Sequence, residues 1–254
     1  MTFGHSGRFY TESMYNPFDR LELPVRYTRY MTASVLYPPK LEKLLLIGLG
    51  GGRTSWYLHH YFPDLDVTAV ELDPKVVEVA KRYFDIREEP GFQIATGDGR
   101  AYVMRHSEEV YDIIALDAYR GPFVPFHLLT TEFYALLESR LAPGGVVVQN
   151  IEPTTMLFDS ALATMRQVFD QIDFYDAKGN VVAVAYDGEK RKLQDLQQKA
   201  QSLQQSKAFR HPLPQLLLER HDYTAPNAAK PLTDDFAPVN ALRAIERHNV
   251  KWDE

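Results

Sequence analysis

Three acids close three apolar runs in this 254-residue chain: Glu71 ends DVTAVEL, Asp98 follows FQIAT in the turn GDGR, and Asp117 closes YDIIALD ahead of AYRGP. In open α/β sheets, ligands bind just outside the carboxyl ends of the strands, so carboxylates there are candidates for chemistry. A fourth element, the glycine-rich stretch IGLGGGRTS, lies about twenty residues ahead of Glu71, a spacing that lets an acid accept hydrogen bonds from both ribose hydroxyls. Gly48, Gly50 and Gly52 would let backbone approach a ligand closely and leave helix N-terminal N–H groups free. A dinucleotide fingerprint would need a sixth-position glycine counted from Gly48, and that position is Arg53, so a pyrophosphate ligand is disfavoured. Asp98, with Gly99 beside it, is placed to accept from the exocyclic amine of an adenine. Both strand-end acids have structural alternatives, since Asp before Gly is common in turns and Asp73 in VELDP can cap a helix.

Positioning these groups requires a parallel sheet. KLLLIGL (43 to 49), DVTAVEL (66 to 72), FQIAT (92 to 96), YDIIALD (111 to 117) and GVVVQNI (145 to 151) read as strands, and TSWYLHHYF, PKVVEVAKRYF and TTEFYALLESRL as the intervening helices. IDFYDAKGNVVAVAYD reads as a hairpin closing the sheet with an antiparallel pair. The expected fold is α/β, a Rossmann-like sheet of seven strands like that of class I S-adenosylmethionine-dependent methyltransferases. Ahead of it, RFYTESMY and RLELPVRYTRYM flank the turn NPFD and are expected to form an N-terminal β-hairpin. This divides the chain into a hairpin region, 1 to 40, and a nucleoside-binding catalytic domain, 41 to 254. The polar helix expected over 188 to 206 has Leu193, Leu196, Ala200 and Leu203 on one face, for packing on the sheet or for a homodimer seam.

The composition excludes several classes. A net charge of -6 argues against nucleic acid as a partner. No apolar stretch approaches the roughly 18 residues of a membrane helix, and MTFGHSGRFY has no signal-peptide character, so a cytoplasmic protein without a membrane partner is expected. There is no cysteine, and the eight histidines show no metal-ligand spacing, so neither thiolate nor metal chemistry is expected.

YTRYM (27 to 31), LLIGLGGGRTS, VELDP, GDGR, YDIIALDAY, TTEFYALLESRLAPGG and TDDFAPV together resemble the spermidine synthase family of aminopropyltransferases and its bacterial spermidine-synthase-like branch. The resemblance implies a co-substrate that is decarboxylated S-adenosylmethionine or S-adenosylmethionine itself, and a small amine or other small acceptor. It places Glu71 on the ribose, Asp98 on the adenine and Asp117 at the aminopropyl end of the donor. Asp117, Tyr119 and Arg120 become the catalytic candidates. Tyr27 would wall the acceptor site, and Asp234 and Asp235 would lie near its mouth. Departures cluster at the acceptor side: Gly51 stands where the family's glycine loop carries an acid, and DAYRG puts Arg120 where the general-base carboxylate belongs. Arg29 stands where family members often carry an acid. A cation beside the acceptor repels a protonated diamine, so the implied acceptor need not be putrescine. A methyltransferase, with Arg53 or Arg120 pairing the donor carboxylate, and a nucleoside-binding module without turnover are the alternatives.

Overall fold

The computed structural model describes residues 1–5, 8–119, 124–223 and 229–235. A two-stranded antiparallel hairpin, β1 (Thr2–His5) and β2 (Arg8–Thr11), opens the chain. Next come α1 (Arg26–Met31) and a 3-10 turn, Thr32–Leu36. The alternating core then runs β3 (Lys43–Ile47), α2 (Arg53–Tyr61), β4 (Asp66–Glu71), α3 (Pro74–Tyr83), β5 (Phe92–Thr96), α4 (Gly99–Arg105) and β6 (Tyr111–Leu116). It continues through α5 (Thr131–Glu138), β7 (Leu141–Ile151), α6 (Phe158–Val168), β8 (Gln171–Asp176) and β9 (Val181–Tyr186). The long polar helix α7 (Leu193–Lys207), the short α8 (Leu213–Leu216) and a two-residue strand, β10 (Arg220–His221), follow.

The sheet order is β10-β8-β9-β7-β6-β3-β4-β5. β7, β6, β3, β4 and β5 are mutually parallel, while β9 enters antiparallel between β7 and β8. This is the expected seven-stranded plan with one short edge strand added. Strand period two explains its two-sided core. Leu44 and Leu46 of β3 join Tyr57 and Leu58 of α2 on one face, whereas Leu45 and Ile47 join Phe133 and Leu137 of α5 on the other. The helices enter by local signals: Asp73 caps α3 through Lys75 N ahead of Pro74, and Thr130 caps α5 through Phe133 N.

Two expectations need correction. The N-terminal hairpin exists, but both its strands precede Glu12, and RLELPVRYTRYM supplies a helix in place of a strand. Pro24 cannot donate to a ladder, and beyond it Thr28, Tyr30 and Met31 bury one side of a helical turn. The fifth strand of the core also starts earlier than Gly145: α5 ends at Glu138 and β7 begins at Leu141. In α7 it is Leu196 and Ala200 that are buried, in the same core as β3, so this row packs inside the subunit.

Candidate active site

The glycine loop between β3 and α2 folds beneath the ends of β4 and β6. Gly48 adopts φ +92°, and a Cβ there would lie 2.3 Å from the Asp117 carbonyl oxygen, so only glycine lets this loop cross the β6 terminus. Glu71 reaches back to the loop: its Oε2 accepts from the N–H groups of Leu49 (3.0 Å) and Gly50 (3.3 Å), and its Oε1 accepts from Asp73 N (3.0 Å). These three donors use three of the roughly four acceptor sites of a carboxylate. Asp98 takes the structural role that its sequence context allowed, as the cap of a helix. Its Oδ1 caps α4 through Ala101 N at 2.8 Å, and its Oδ2 faces His127 Nε2 at 2.9 Å. Burial works to raise its pKa, but these hydrogen bonds outweigh it and hold the carboxyl below its ordinary value.

The other end of the site is built from residues far apart in sequence. Tyr27 of α1 donates its hydroxyl to Asp117 Oδ2 (3.1 Å), and Asn150 of β7 donates Nδ2 to Asp117 Oδ1 (3.1 Å). Asn150 is itself oriented, its Oδ1 accepting from Asn180 Nδ2 (3.0 Å) and its carbonyl from the Tyr119 hydroxyl (3.0 Å). Burial pushes Asp117 up to about 6 against the lowering effect of the Asn150 and Tyr27 hydrogen bonds. Burial and the Asp117 charge push the Tyr27 hydroxyl well above its ordinary value, so it remains a donor.

Asp117, Tyr27, Leu49, Gly51, Arg53 and Glu12 meet around one cavity. Glu12 belongs to no sequence-derived site. Burial, then the charges of Asp117 and Glu71, raise its carboxyl to about 8. Arg53 is also buried, its NH1 and NH2 donating to the carbonyls of Phe84 and Arg20, and burial lowers its pKa to about 10. A second cavity, on the far side of Tyr119, is lined by Val124, Ile151, Glu152 and Phe158.

Asp234 forms a two-toothed pair with Arg100, which joins the C-terminal segment to α4. Asp235 is exposed and lines neither cavity. Arg29 donates Nε to the Leu23 carbonyl (2.6 Å). Gly52 takes φ +65° as the first residue of the α2 cap, and a Cβ on Gly99 would strike Ile47 at 2.3 Å, so both shape the fold around the site. Arg120 lies outside the described residues. Two site residues escaped the sequence reading. Asn150 had a signal, a polar Gln-Asn pair inside an otherwise apolar strand; Glu12 had none beyond following a short strand.

A glycine loop at the end of a largely parallel open sheet, with acids at three strand ends, defines the class I methyltransferase-like fold. A chain of human methyltransferase-like protein 13, solved in complex with SAH, shares this fold at a TM-score of 0.66 and 23% identity, covering 80% of this chain and 97% of that one. A probable spermidine synthase from Corynebacterium glutamicum does so at 0.64 and 20% identity, covering 86% of this chain and 83% of the other. Residues 25–178 match the spermine/spermidine synthase domain, and the chain belongs to that family. It is 36% identical over 228 residues to a polyamine aminopropyltransferase of Vibrio vulnificus, an alignment covering 85% of this chain and 75% of the relative. It is also 30% identical to an eEF1A lysine and N-terminal methyltransferase homolog of Drosophila pseudoobscura, covering 61% of this chain and 25% of that protein.

Proposed function

We propose that the protein transfers an aminopropyl group from decarboxylated S-adenosylmethionine to a small alkylamine, releasing methylthioadenosine. The observation that carries this reading is the lining of the cavity below the glycine loop: two carboxyls, Glu12 and Asp117, wall it, and the one lining cation among the described residues, Arg53, spends NH1 and NH2 on backbone carbonyls. A donor ending in an ammonium fits this lining better than one that also carries a carboxylate.

The donor's sulfonium supplies a good leaving group, which leaves the protein to place the amine and take its proton. Glu71 and the loop would hold the ribose, and Asp98 the adenine edge. Asp117, raised to about 6, is ionised at neutral pH yet basic enough to accept a proton. Tyr27 and Asn150 fix its two oxygens, so its direction is set before substrate arrives. An alkylamine with a pKa near that of lysine, about 10.4, is neutral only about once in two thousand molecules at pH 7, so a positioned carboxylate is needed.

Methyl transfer is the second reading, favoured by one observation: Nε of Arg53 is buried without a hydrogen-bond partner among the described residues, and the residue lines the same cavity, where a donor carboxylate could meet it. Parallel incubations decide between them. Decarboxylated S-adenosylmethionine with putrescine should yield methylthioadenosine, and S-adenosylmethionine with the same amine should yield no S-adenosylhomocysteine. The reverse pattern sinks aminopropyl transfer.

A further inference from the structure

Glu12 directly follows the hairpin and lines the same cavity as Asp117, whose charge acts on its carboxyl. The two acids are held differently. Both oxygens of Asp117 accept hydrogen bonds, whereas Oε1 of Glu12 is buried and has no partner among the described residues. The segment bearing Glu12 is fixed by its neighbour: Ser13 Oγ accepts from Gly51 N at 2.8 Å. That contact also closes the loop to any side chain of its own. A Cβ on Gly51 would lie 2.6 Å from Cδ1 of Phe84 and 2.8 Å from Cβ of Ser13. The second acid of the cavity therefore comes from the N-terminal segment, not from the loop.

A buried carboxyl oxygen without a donor, facing a second carboxyl, is an unfavourable arrangement in isolation. A cation with several N–H groups placed between the two relieves both faults, by donating to the orphan oxygen and offsetting the like charges. We propose that Glu12 and Asp117 together seat one alkylammonium group, with Glu12 as the specificity-determining residue for an amine-bearing substrate. This rests on reading the site as an aminopropyl-transfer centre. The ammonium is that of the donor's aminopropyl arm or that of the acceptor amine; the chemistry of the seat is the same for both.

The seat also couples binding to protons. Asp117 and Glu71 raise the Glu12 carboxyl along with burial, and the Met1 ammonium opposes them. Arg53, across the cavity, keeps its guanidinium on the Phe84 and Arg20 carbonyls. At pH 7 a carboxyl titrating near 8 is mostly protonated, so an arriving ammonium displaces most of one proton to solvent.

Calorimetry at pH 7 in two buffers of different ionisation enthalpy tests this, with decarboxylated S-adenosylmethionine, methylthioadenosine, putrescine alone and putrescine on the methylthioadenosine complex as probes. Amine-bearing probes should release a proton and methylthioadenosine none. Glu12→Gln should abolish that release and weaken the amine-bearing probe about tenfold or more, leaving methylthioadenosine affinity unchanged, which also shows that the variant is folded. A loss confined to the decarboxylated donor assigns the seat to the donor, and one confined to putrescine assigns it to the acceptor. Unchanged affinity for every amine, or an equal loss for methylthioadenosine, overturns the proposal. Failure of the unmodified protein to bind methylthioadenosine would instead strike the nucleoside reading, and the putrescine-alone titration would still decide the ammonium seat.

Discussion

The two ends of the site are built on opposite plans. At the nucleoside end, the carboxylate of Glu71 takes three N–H groups from the loop and from Asp73, and that of Asp98 takes one from Ala101 and faces His127. Main-chain donors dominate. At the transfer end, Asp117 is held by side chains 90 and 33 residues away, and Glu12 leaves one oxygen unpartnered. Hydrogen bonds hold Asp98 below its ordinary pKa, whereas burial drives Asp117 and Glu12 above theirs. Under the proposed function this is a division of labour: one end is a well-satisfied cradle, and the other keeps acidity for substrate to offset.

The largest effect that tests this division is on turnover. Asp117→Asn keeps size and most hydrogen bonding but cannot accept a proton, so kcat for aminopropyl transfer should fall by about 10² to 10⁴. Methylthioadenosine affinity should stay near that of the unmodified protein, and an equal loss in both would merge the two ends into one. The next largest is on binding. Glu71→Ala removes the acceptor shared by the loop and a ribose, and should weaken methylthioadenosine by about tenfold or more in calorimetry. Unchanged affinity in a folded variant would place the nucleoside elsewhere.

This division also explains what the sequence disclosed. The proposed nucleoside end is made by residues a few positions apart at strand ends, so periodicity, turn chemistry and a spacing of about twenty residues pointed to Glu71, Asp98 and the loop. The sheet was legible for the same reason, because β3, β6 and β9 bury both faces and α3, α4 and α5 carry their own caps. The transfer end depends on contacts between α1, β6, β7 and the segment after β2, which no local pattern encodes. Tyr27 could be suspected only through the family resemblance and Asp117 also from its place at a strand end, but their hydrogen bond could not. Glu12 was invisible, because the hairpin was assigned to later residues and its end therefore fell in the wrong place. Asp234, expected near the active-site mouth, pairs with Arg100 in the first turn of α4, a salt bridge that sequence separation hid.

A smaller effect separates direction from acidity. Tyr27→Phe removes the donor to Asp117 Oδ2, a bond that favours the charged carboxylate. The acid limb of the pH profile of kcat/KM should then move to higher pH by a fraction of a unit, while the rate well above pH 8 changes only a few-fold. A rate lost equally at every pH would make Tyr27 a structural residue.

The smallest effect, in stability, should have opposite signs at the two ends. Asp117 holds its proton more tightly folded than unfolded, with a pKa raised from 3.8 to about 6. Between those values the folded state binds more protons than the unfolded one, so stability falls as pH rises through that window and stays reduced above it. Asp117→Asn removes the penalty, and its melting temperature relative to the unmodified protein should be lowest near pH 4 and higher by a few degrees at pH 8. Glu12→Gln should follow the same course over a window reaching about 8. Asp98 is held below its ordinary value, so its contribution is present above the unfolded pKa and is lost as pH falls through the folded one. Asp98→Asn should therefore lower the melting temperature at pH 8, with the difference closing in acid. Melting curves of the three variants at pH 4, 6 and 8 provide the check. If Asp117→Asn and Asp98→Asn shift in the same direction at pH 8, the contrast between a satisfied cradle and a strained transfer end fails.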